Sequence, residues 1–483
     1  MKYTLWGVVV SLFFLPLSSA HGAYHHGGDT DSDIAVQAIP AIAGTKLDSC
    51  ALCHSGGQYE KKPGVSVKLG SCQWCHYTYG YDESGDINDT LNGYGVDYRN
   101  NGKNFAAFTA IQNLDSDSDG YSNTVEINAL RFPGDPNDDP TKVPAPYVVI
   151  SRDELEGYFP YHEQTMLMNT HKSGDFYTTY GGVPVADLLD TVKILDTATG
   201  ITVFAPDGWA QYHPLDEDSD PLMYHVYGHY PQANFYYDDQ ADVAKTPWGW
   251  CDYSAPGVEK LVNGEPIDVK NGLQMVLAYV RDGFYLETGA LTDANKLDGE
   301  GPFRLVPPQK NPGPPDQGST SDVQEVIWPF TEDWDHNAGF STRSATIIRV
   351  EPLPKGTTDI DILEAGWNYV DESKILIYGA LDPLNTILEK LTEAEQIIVG
   401  LDINDFHSRS DKKNLLQKIK TINKSLQKKH DQAATHQLES LSWKIDGCAT
   451  AAKPDGNDWI SNCESQSEIY WLVYEARVLH GDF

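Results

Sequence analysis

Short runs of β-branched and aromatic residues, separated by clusters of glycine, proline and aspartate, fill the middle of the chain. Runs of this length and composition are typical of β-strands. The clearest of them are PYVVIS (146–151), ITVFA (201–205), QMVLAYV (274–280) and ATIIRVEPL (345–353). One helical pattern stands among them, VPVADLLDTV at residues 183–192. The pattern therefore predicts a mainly β domain with short helices over residues 146–385.

The C-terminal part of the chain, residues 386–483, changes to a helical period. Apolar residues recur there at the spacing of one helical face, at Leu415, Ile419, Ile422 and Leu426. Seven lysines lie in the same segment, SDKKNLLQKIKTINKSLQKKH at residues 410–430, mostly away from that face. They form either a solvated helix surface or a face that docks a partner. We expect an α-helical domain here.

Two cysteines of this domain, Cys448 and Cys463, stand 15 residues apart on either side of a Pro-Asp-Gly turn. In an oxidising compartment such a pair is expected to be oxidised. The spacing predicts a disulfide that staples a helical hairpin, and closing a loop of this length stabilises a small domain by about 3 kcal/mol.

The chain carries 70 acidic and 35 basic residues, and its formal net charge is −35. A surface this acidic argues against binding to nucleic acid, whose phosphates it would repel. It fits a solvated acidic surface or transient docking to basic redox partner proteins. We expect redox partner proteins and no nucleic acid.

Four cysteines near the N-terminus form two C-x-x-C-H motifs. The first consists of Cys50, Cys53 and His54, and the second of Cys72, Cys75 and His76. A zinc ribbon also has paired cysteines at this spacing, and paired disulfides are a further alternative, but neither uses the histidine that closes each motif. C-x-x-C-H is typical of covalent attachment of a c-type haem. The motifs therefore predict two haem c groups, with His54 and His76 as proximal iron ligands.

The first twenty residues have the pattern of a secretory signal peptide. Lys2 precedes the apolar stretch WGVVVSLFFLPL, and the small residues SSA follow it. The stretch is too short to span a bilayer. We expect cleavage after Ala20, no integral membrane segment after signal removal, and a periplasmic or extracellular protein.

The sixth ligand of each haem iron is an open question in the sequence. The distal candidates are His25, His26 and His171, followed by His162 and then by Met166 and Met168. Histidine ligation on both faces favours electron transfer, whereas an open face would allow small-molecule chemistry.

The sequence LDSDSDGYSNTVEI matches the calcium-binding loop D-x-[DN]-x-[DN]-G-x5-E. The predicted ligands are Asp115, Asp117, Asp119, Tyr121 through its carbonyl, Asn123 and Glu126. Calcium takes six to eight hard oxygen ligands, which this set supplies. The alternative is an acidic surface turn. We expect a structural calcium site that closes a diheme unit over residues 21–145.

The middle domain resembles the molybdenum-cofactor domain of the sulfite oxidase family through YGGVPVADLLDT (180–191), FAPDGW (204–209) and GPFRLVPP (301–308). The resemblance implies a mixed, mostly β fold. That family ligates molybdenum with a cysteine shortly before the first motif, but Thr170 or His171 stands there in this chain. Only five arginines lie between residues 150 and 350 to grip a pterin phosphate. The residues argue against molybdopterin.

The chain as a whole resembles the bacterial GEGP motif-containing diheme proteins, since the signal peptide, both haem motifs, the calcium-like loop and GEGP (Gly299–Pro302) occur in that order. We expect a multidomain α+β protein: signal peptide (1–20), diheme cytochrome c unit with an EF-hand-like calcium loop, sulfite-oxidase-like β domain and stapled helical domain. The preferred hypothesis is an exported electron carrier whose β domain is a scaffold or docking surface. The alternative is a haem-coupled oxidoreductase whose middle domain binds a molybdopterin-type cofactor or a substrate.

Overall fold

The computed structural model describes residues 30–54, 58–62, 65–68, 86–170, 176–206, 209–216, 224–227, 230, 272–292, 297–309, 337–361 and 367–481. These residues form a mixture of α-helices and β-sheets. Within these ranges, no helix combines the length and the apolar character needed to cross a membrane.

The helices of the described residues are numbered α1 to α12 along the chain. They are α1 Thr30–Ala38, α2 Gly93–Asn100, α3 Phe105–Ile111, α4 Asn123–Asn128, α5 Arg152–Tyr158, α6 Val185–Val192, α7 Trp367–Asp371, α8 Leu384–Gly400, α9 Arg409–Gln427, α10 Asp431–Ser442, α11 Gly447–Ala451 and α12 Cys463–Gly481. Short 3₁₀ turns cover Pro40–Ile42, Cys50–Leu52, Ile87–Thr90, Asn337–Phe340 and Ile403–Asp405.

The strands are numbered in the same way. They are β1 Gln58–Lys62, β2 Val65–Lys68, β3 Val143–Pro144, β4 Tyr147–Ser151, β5 His162–Met168, β6 Phe176–Pro184, β7 Gly200–Phe204, β8 Ala210–Pro214, β9 Val276–Arg281, β10 Phe284–Tyr285, β11 Ala290–Leu291, β12 Leu297–Asp298, β13 Arg304–Val306, β14 Ile347–Glu351, β15 Thr357–Thr358 and β16 Lys374–Gly379. The four predicted strand runs and the predicted helix α6 are all present.

Two five-stranded sheets form the β unit. One sheet has the order β10-β9-β6-β5, with β13 also paired to β9, and all its pairs are antiparallel. The other has the order β4-β16-β14-β7-β8, in which only β14 and β16 run parallel. Strands β6, β8 and β13 are buried along almost their whole length.

The C-terminal bundle, residues 384–481, consists of α8 to α12. The predicted apolar stripe of α9 is its core: Leu415, Ile419 and Ile422 are fully buried, and Leu426 is 3% exposed. Helix α8 packs on α9 and α12, and α10 packs on both α9 and α12. The bundle is therefore larger than the predicted hairpin, because α8, α10 and α12 bury apolar faces of their own.

The predicted disulfide between Cys448 and Cys463 is present. It joins the one-turn helix α11 to the first residue of α12. The backbone N–H of Cys448 also donates to Gln466 Oε1 at 2.6 Å. The disulfide thus fixes the start of the last helix, α12, and not the tip of a hairpin.

The first unit, residues 30–138, packs its helices around Tyr94, Tyr98 and Phe108. The rings of Tyr98 and Phe108 stack with centroids 4.3 Å apart. Lys46 joins this unit to the β unit: its Nζ donates to Thr358 Oγ1 at 2.6 Å and lies 3.4 Å from the carboxylate of Asp138. Burial lowers the pKa of Lys46, and the charge of Asp138 opposes that shift.

Candidate functional site

The first C-x-x-C-H motif folds into one tight turn, residues 50–54, which we call the haem turn. The backbone N–H groups of Cys53 and His54 both donate to the carbonyl of Cys50, at 3.2 and 2.9 Å. Cys50 is exposed and Cys53 is half-buried. The turn brings both thiols and the imidazole into five consecutive residues, as attachment and ligation of one haem require.

The imidazole of His54 is oriented by a neighbouring segment. Its Nδ1 shares a hydrogen bond with Thr90 Oγ1, and its backbone forms a β-bridge with Leu91. Histidines that bind metals commonly use one ring nitrogen for the metal and the other for such a hydrogen bond. With Nδ1 held in this way, Nε2 is the nitrogen that would bind iron. The residues of the first motif therefore fit a haem.

The second motif (Cys72, Cys75 and His76) and the distal candidates His25, His26 and His171 lie outside the described residues. The hairpin of β1 and β2 lies between the two motifs in the chain.

The weaker distal candidates are inside the β unit. His162 is buried and hydrogen-bonds Gln164 through Nε2 at 3.2 Å. Met166 and Met168 are fully buried in an apolar cluster. Their sulfurs accept hydrogen bonds from Gln164 and Asn337. The side chains of His162, Met166 and Met168 therefore make these contacts inside the β unit.

The acidic loop, residues 115–126, brings three of its carboxylates together. Oxygen atoms of Asp115, Asp117 and Asp119 lie within 4.8 Å of one another. The carboxylate of Asp115 accepts the backbone N–H groups of Asp119 and Gly120, at 3.1 and 3.0 Å. Gly120 has a φ of 103°, a left-handed conformation that favours glycine. The local geometry therefore folds the loop around its own carboxylates.

Glu126, at the closing position of the loop, is fully buried in α4. Among the described residues, neither carboxylate oxygen of Glu126 has a hydrogen-bond partner. The same is true of one carboxylate oxygen of Asp117 and one of Asp119. Burial, reinforced by the charges of Asp117 and Asp119, raises the pKa of Glu126 to about 8. Burial and Asp119 likewise raise the pKa of Asp117 to about 6. A buried carboxylate without a partner is costly, and a hard cation such as calcium would satisfy it.

Two predicted calcium ligands have other contacts. Asn123 is fully buried; its Nδ2 donates to Ile111 O and Ser116 Oγ, both at 2.8 Å, and its Oδ1 accepts the N–H of Ser116 at 3.2 Å. Tyr121 donates its backbone N–H to Asp119 at 2.8 Å. In this structure the side chain of Asn123 ties the loop to Ile111 at the end of α3. The three clustered aspartates offer oxygen donors of the kind that calcium prefers, and Glu126 is buried nearby at the closing position of the loop, outside that cluster.

The GEGP sequence forms the centre of a charged network in the β unit. Glu300 Oε1 lies 2.7 Å from Arg281 Nη1 and 2.8 Å from Arg304 Nη1. Tyr180 donates its hydroxyl to Glu300 Oε2 at 3.2 Å and accepts from Arg304 at 2.8 Å. Burial would raise the pKa of Glu300, but the two guanidinium groups lower it below its ordinary value. Glu300 therefore joins β6, β9 and β13.

The five arginines between residues 150 and 350 all interact within the chain. Besides Arg281 and Arg304, Arg349 pairs with Glu351 and Asp359. Arg343 donates to the carbonyl of Leu297. Arg152 lies 3.8 Å from Glu156 and over the ring of Tyr285. Their guanidinium groups hold the β unit together, so binding a pterin phosphate would compete with these contacts.

The structure also assembles groups that the sequence analysis did not single out. Thr90 orients His54, and a second acidic cluster forms beside the disulfide from Asp446, Asp455 and Asp458. The carboxylate of Asp458 accepts the N–H groups of Gly447 and Asp455, so it organises that loop. The short sequence DGND at 455–458 resembles part of the acidic loop and is the sequence signal that points to this second cluster.

Comparison with models of protein families found no match, and comparisons with curated proteins and with solved structures likewise returned none.

Proposed function

We propose that this protein is an exported diheme c-type cytochrome of the GEGP motif-containing group, which relays electrons in the periplasm or at the cell exterior. The doubled C-x-x-C-H motif carries the proposal. The conformation of residues 50–54 supports it, because Cys50, Cys53 and His54 occupy one turn and the imidazole is held through Nδ1.

Each residue of the haem turn has a defined part in this proposal. The thiols of Cys50 and Cys53 would attach the porphyrin, and His54 would bind iron through Nε2 while Thr90 keeps the ring in place. A haem c supplies a reversible one-electron couple when it is bound. Cys72, Cys75 and His76 would serve the second haem in the same way.

The acidic loop would hold a structural calcium ion through Asp115, Asp117, Asp119 and Glu126. The buried and unpartnered carboxylate of Glu126 is the observation that supports this site. Extracellular calcium modules bind with dissociation constants of about 10⁻⁴ to 10⁻³ M, which suits permanent occupancy outside the cell.

Export is supported by the apolar N-terminal stretch and by the disulfide between Cys448 and Cys463. The β unit, proposed to have the sulfite-oxidase-like fold, would act as a scaffold or docking surface for redox partner proteins. The internal pairing of Arg281, Arg304 and Arg349 supports a scaffold.

The test is an optical redox titration with elemental analysis, on full-length protein from a host that matures haem c. We expect two low-spin haems and one calcium per chain. The double variant Cys50→Ala, Cys53→Ala should retain one haem, whereas Cys251→Ala, outside both motifs, should retain two. Absence of covalent haem, or stoichiometric zinc, would contradict the proposal.

A haem-coupled oxidoreductase is the second candidate, and buried polar atoms favour it. Gln211 Oε1 on β8 and Asn169 Oδ1 are buried and have no hydrogen-bond partner among the residues that the structure describes. A bound polar cofactor or substrate could satisfy such atoms. Molybdenum in the elemental analysis, or a high-spin haem component, would favour this candidate over the electron carrier.

A further inference from the structure

The first turn of α2, residues 92–95, contacts the haem turn directly. The backbone N–H of Asn92 donates to the carbonyl of Cys53 at 2.9 Å. The side-chain Nδ2 of Asn92 donates to the carbonyls of Leu52 at 3.1 Å and Ala51 at 3.4 Å. Its Oδ1 meanwhile caps α2 by accepting the N–H of Gly95 at 2.9 Å. Asn92 therefore ties the haem turn to the start of this helix through both its backbone and its side chain.

The same helical turn contacts the acidic loop on its other side. A Cβ on Gly95 would lie 2.3 Å from the carbonyl oxygen of Cys53, and a Cβ on Gly93 would lie 2.1 Å from the carbonyl oxygen of Ser116. Both distances are far below a van der Waals contact. Glycine at these two positions lets the helix backbone touch the haem turn at one residue and the acidic loop at another.

Ser116 stands between two of the calcium-loop aspartates and holds the helix by its side chain as well. Its Oγ donates to Asp97 Oδ2 on α2 at 2.7 Å and accepts from Asn123 Nδ2 at 2.8 Å. The acidic loop is therefore tied to α2 through both backbone and side-chain contacts. Thr90 and Leu91, directly before the helix, contact His54.

We propose that residues 92–95 couple calcium binding at the acidic loop to the reduction potential of the first haem, with Asn92 as the positioning residue. The inference deepens the proposed function and depends on it. Calcium would offset the negative charge of the loop, which favours the reduced, less positive iron, and α2 would hold the loop at a fixed position relative to the haem turn. Calcium should thus raise the potential of this haem.

Linkage makes the inference quantitative. If calcium raises the potential, the reduced protein must bind calcium more tightly than the oxidised protein by the same free energy. Coupling between sites is typically about 5- to 150-fold. We expect the reduced protein to bind calcium about tenfold more tightly than the oxidised protein. For a one-electron couple this corresponds to a haem potential about 59 mV higher with calcium bound.

The experiment uses the variant Cys72→Ala, Cys75→Ala, which would carry the first haem alone. Its potential is measured with excess calcium and with a chelator, and its calcium affinity is measured by calorimetry in both oxidation states. A higher potential with calcium and tighter calcium binding to the reduced form are expected. If haem and calcium both bind, but the potential does not depend on calcium and the calcium affinity does not depend on oxidation state, this inference is overturned and the proposed function stays intact. Absence of covalent haem from the protein would overturn both the proposed function and this inference.

A second substitution separates the path through α2 from direct electrostatics. Asn92→Ser keeps an N-cap oxygen but cannot reach the carbonyls of Leu52 and Ala51. Asn104→Ser is the matched control, since Asn104 caps α3 by accepting the N–H of Ala107 and does not contact the haem turn in the hydrogen bonds described. We expect Asn92→Ser to reduce the tenfold difference to below about threefold. An unchanged difference in Asn92→Ser would overturn the role of α2.

Discussion

The first unit and the C-terminal bundle are both small, but different interactions hold them together. In the described part of the chain, ten buried apolar residues form the core of the first unit and twenty-one form the core around the bundle. The bundle buries regular helical stripes and adds a disulfide. The first unit instead buries the carboxylate of Glu126 without a partner and holds a C-x-x-C-H turn at its edge.

The two units therefore obtain their stability from different groups. A small domain with a thin core needs a metal, a cofactor or a disulfide to remain folded. The first unit is expected to depend on bound haem and calcium, whereas the bundle carries its stabilising groups in its own chain. Treatments that remove ligands should therefore damage the first unit alone, and core substitutions in α9 should damage the bundle alone.

The largest effect is expected from a cavity in the bundle. Ile419→Ala removes a fully buried side chain from the core stripe of α9 and should lower the free energy of unfolding of the bundle by about 2–5 kcal/mol. Val399→Ala on α8 is the control, because Val399 is 58% exposed. Hydrogen exchange by mass spectrometry, resolved along the chain, measures both. Equal loss of protection in the first unit and the bundle would contradict independent stabilisation.

The disulfide should have the next largest effect. Replacing Cys448 and Cys463 by serine opens a 15-residue loop and should cost the bundle about 3 kcal/mol on the chain-entropy estimate. Urea unfolding of the bundle measures the loss, and adding a reductant to the unsubstituted protein should reproduce it. Calcium affinity should stay the same in the variant. A variant with unchanged unfolding would show that the packing of α12 suffices.

Calcium removal is the converse experiment on the first unit. Saturation at 100 times the dissociation constant stabilises the bound form by about 2.7 kcal/mol, so a chelator should lower the protection of residues 86–130 by that amount. Glu126→Gln should abolish the response, because it removes the buried ligand. Glu389→Gln, at an exposed position on α8, should leave it unchanged. If the chelator lowered protection in the bundle and not in the first unit, calcium would not be the group that stabilises the first unit.

The sequence predicts each of these units for a different reason. The stripe of α9 and the strands of the β unit follow from periodicity, because apolar residues at fixed spacing must share one buried face. The acidic loop follows from ligand spacing within a single segment. The bundle was underestimated as a hairpin because α10 and α12 have weaker periodicity than α9. Local patterns thus determine elements but not how many of them share one core.

Contacts between distant segments could not be predicted from the sequence. Thr90 meets His54 across 36 residues, and Glu300 meets Tyr180 across 120. No spacing in the sequence reveals that Thr90 contacts His54 or that Glu300 contacts Tyr180. The close approaches at Gly93 and Gly95 are equally hidden, since a glycine in a sequence does not show which backbone it touches. Such pairs depend on tertiary packing.

The first unit should also show a pH dependence that differs in sign from ordinary acid denaturation. In calcium-free protein the pKa of Glu126 is raised from 4.5 to about 8, chiefly by burial. Between these values the folded first unit binds more protons than the unfolded chain, so its stability falls as pH rises from about 4.5 to about 8 and is level above that. The bundle should not follow this trend.

The measurement is hydrogen exchange of the calcium-free protein at a series of pH values, corrected for the intrinsic rate. Glu126→Gln should flatten the dependence in residues 86–130 between about pH 6 and about pH 8, because glutamine does not titrate. Protons and calcium compete for the same carboxylates, so calcium affinity should weaken from pH 8 to pH 6, where Asp117, with a pKa of about 6, also becomes protonated. If the first unit instead gained stability as pH rose without calcium, Glu126 would have to be ionised and paired in the fold, and the acidic loop would need no cation.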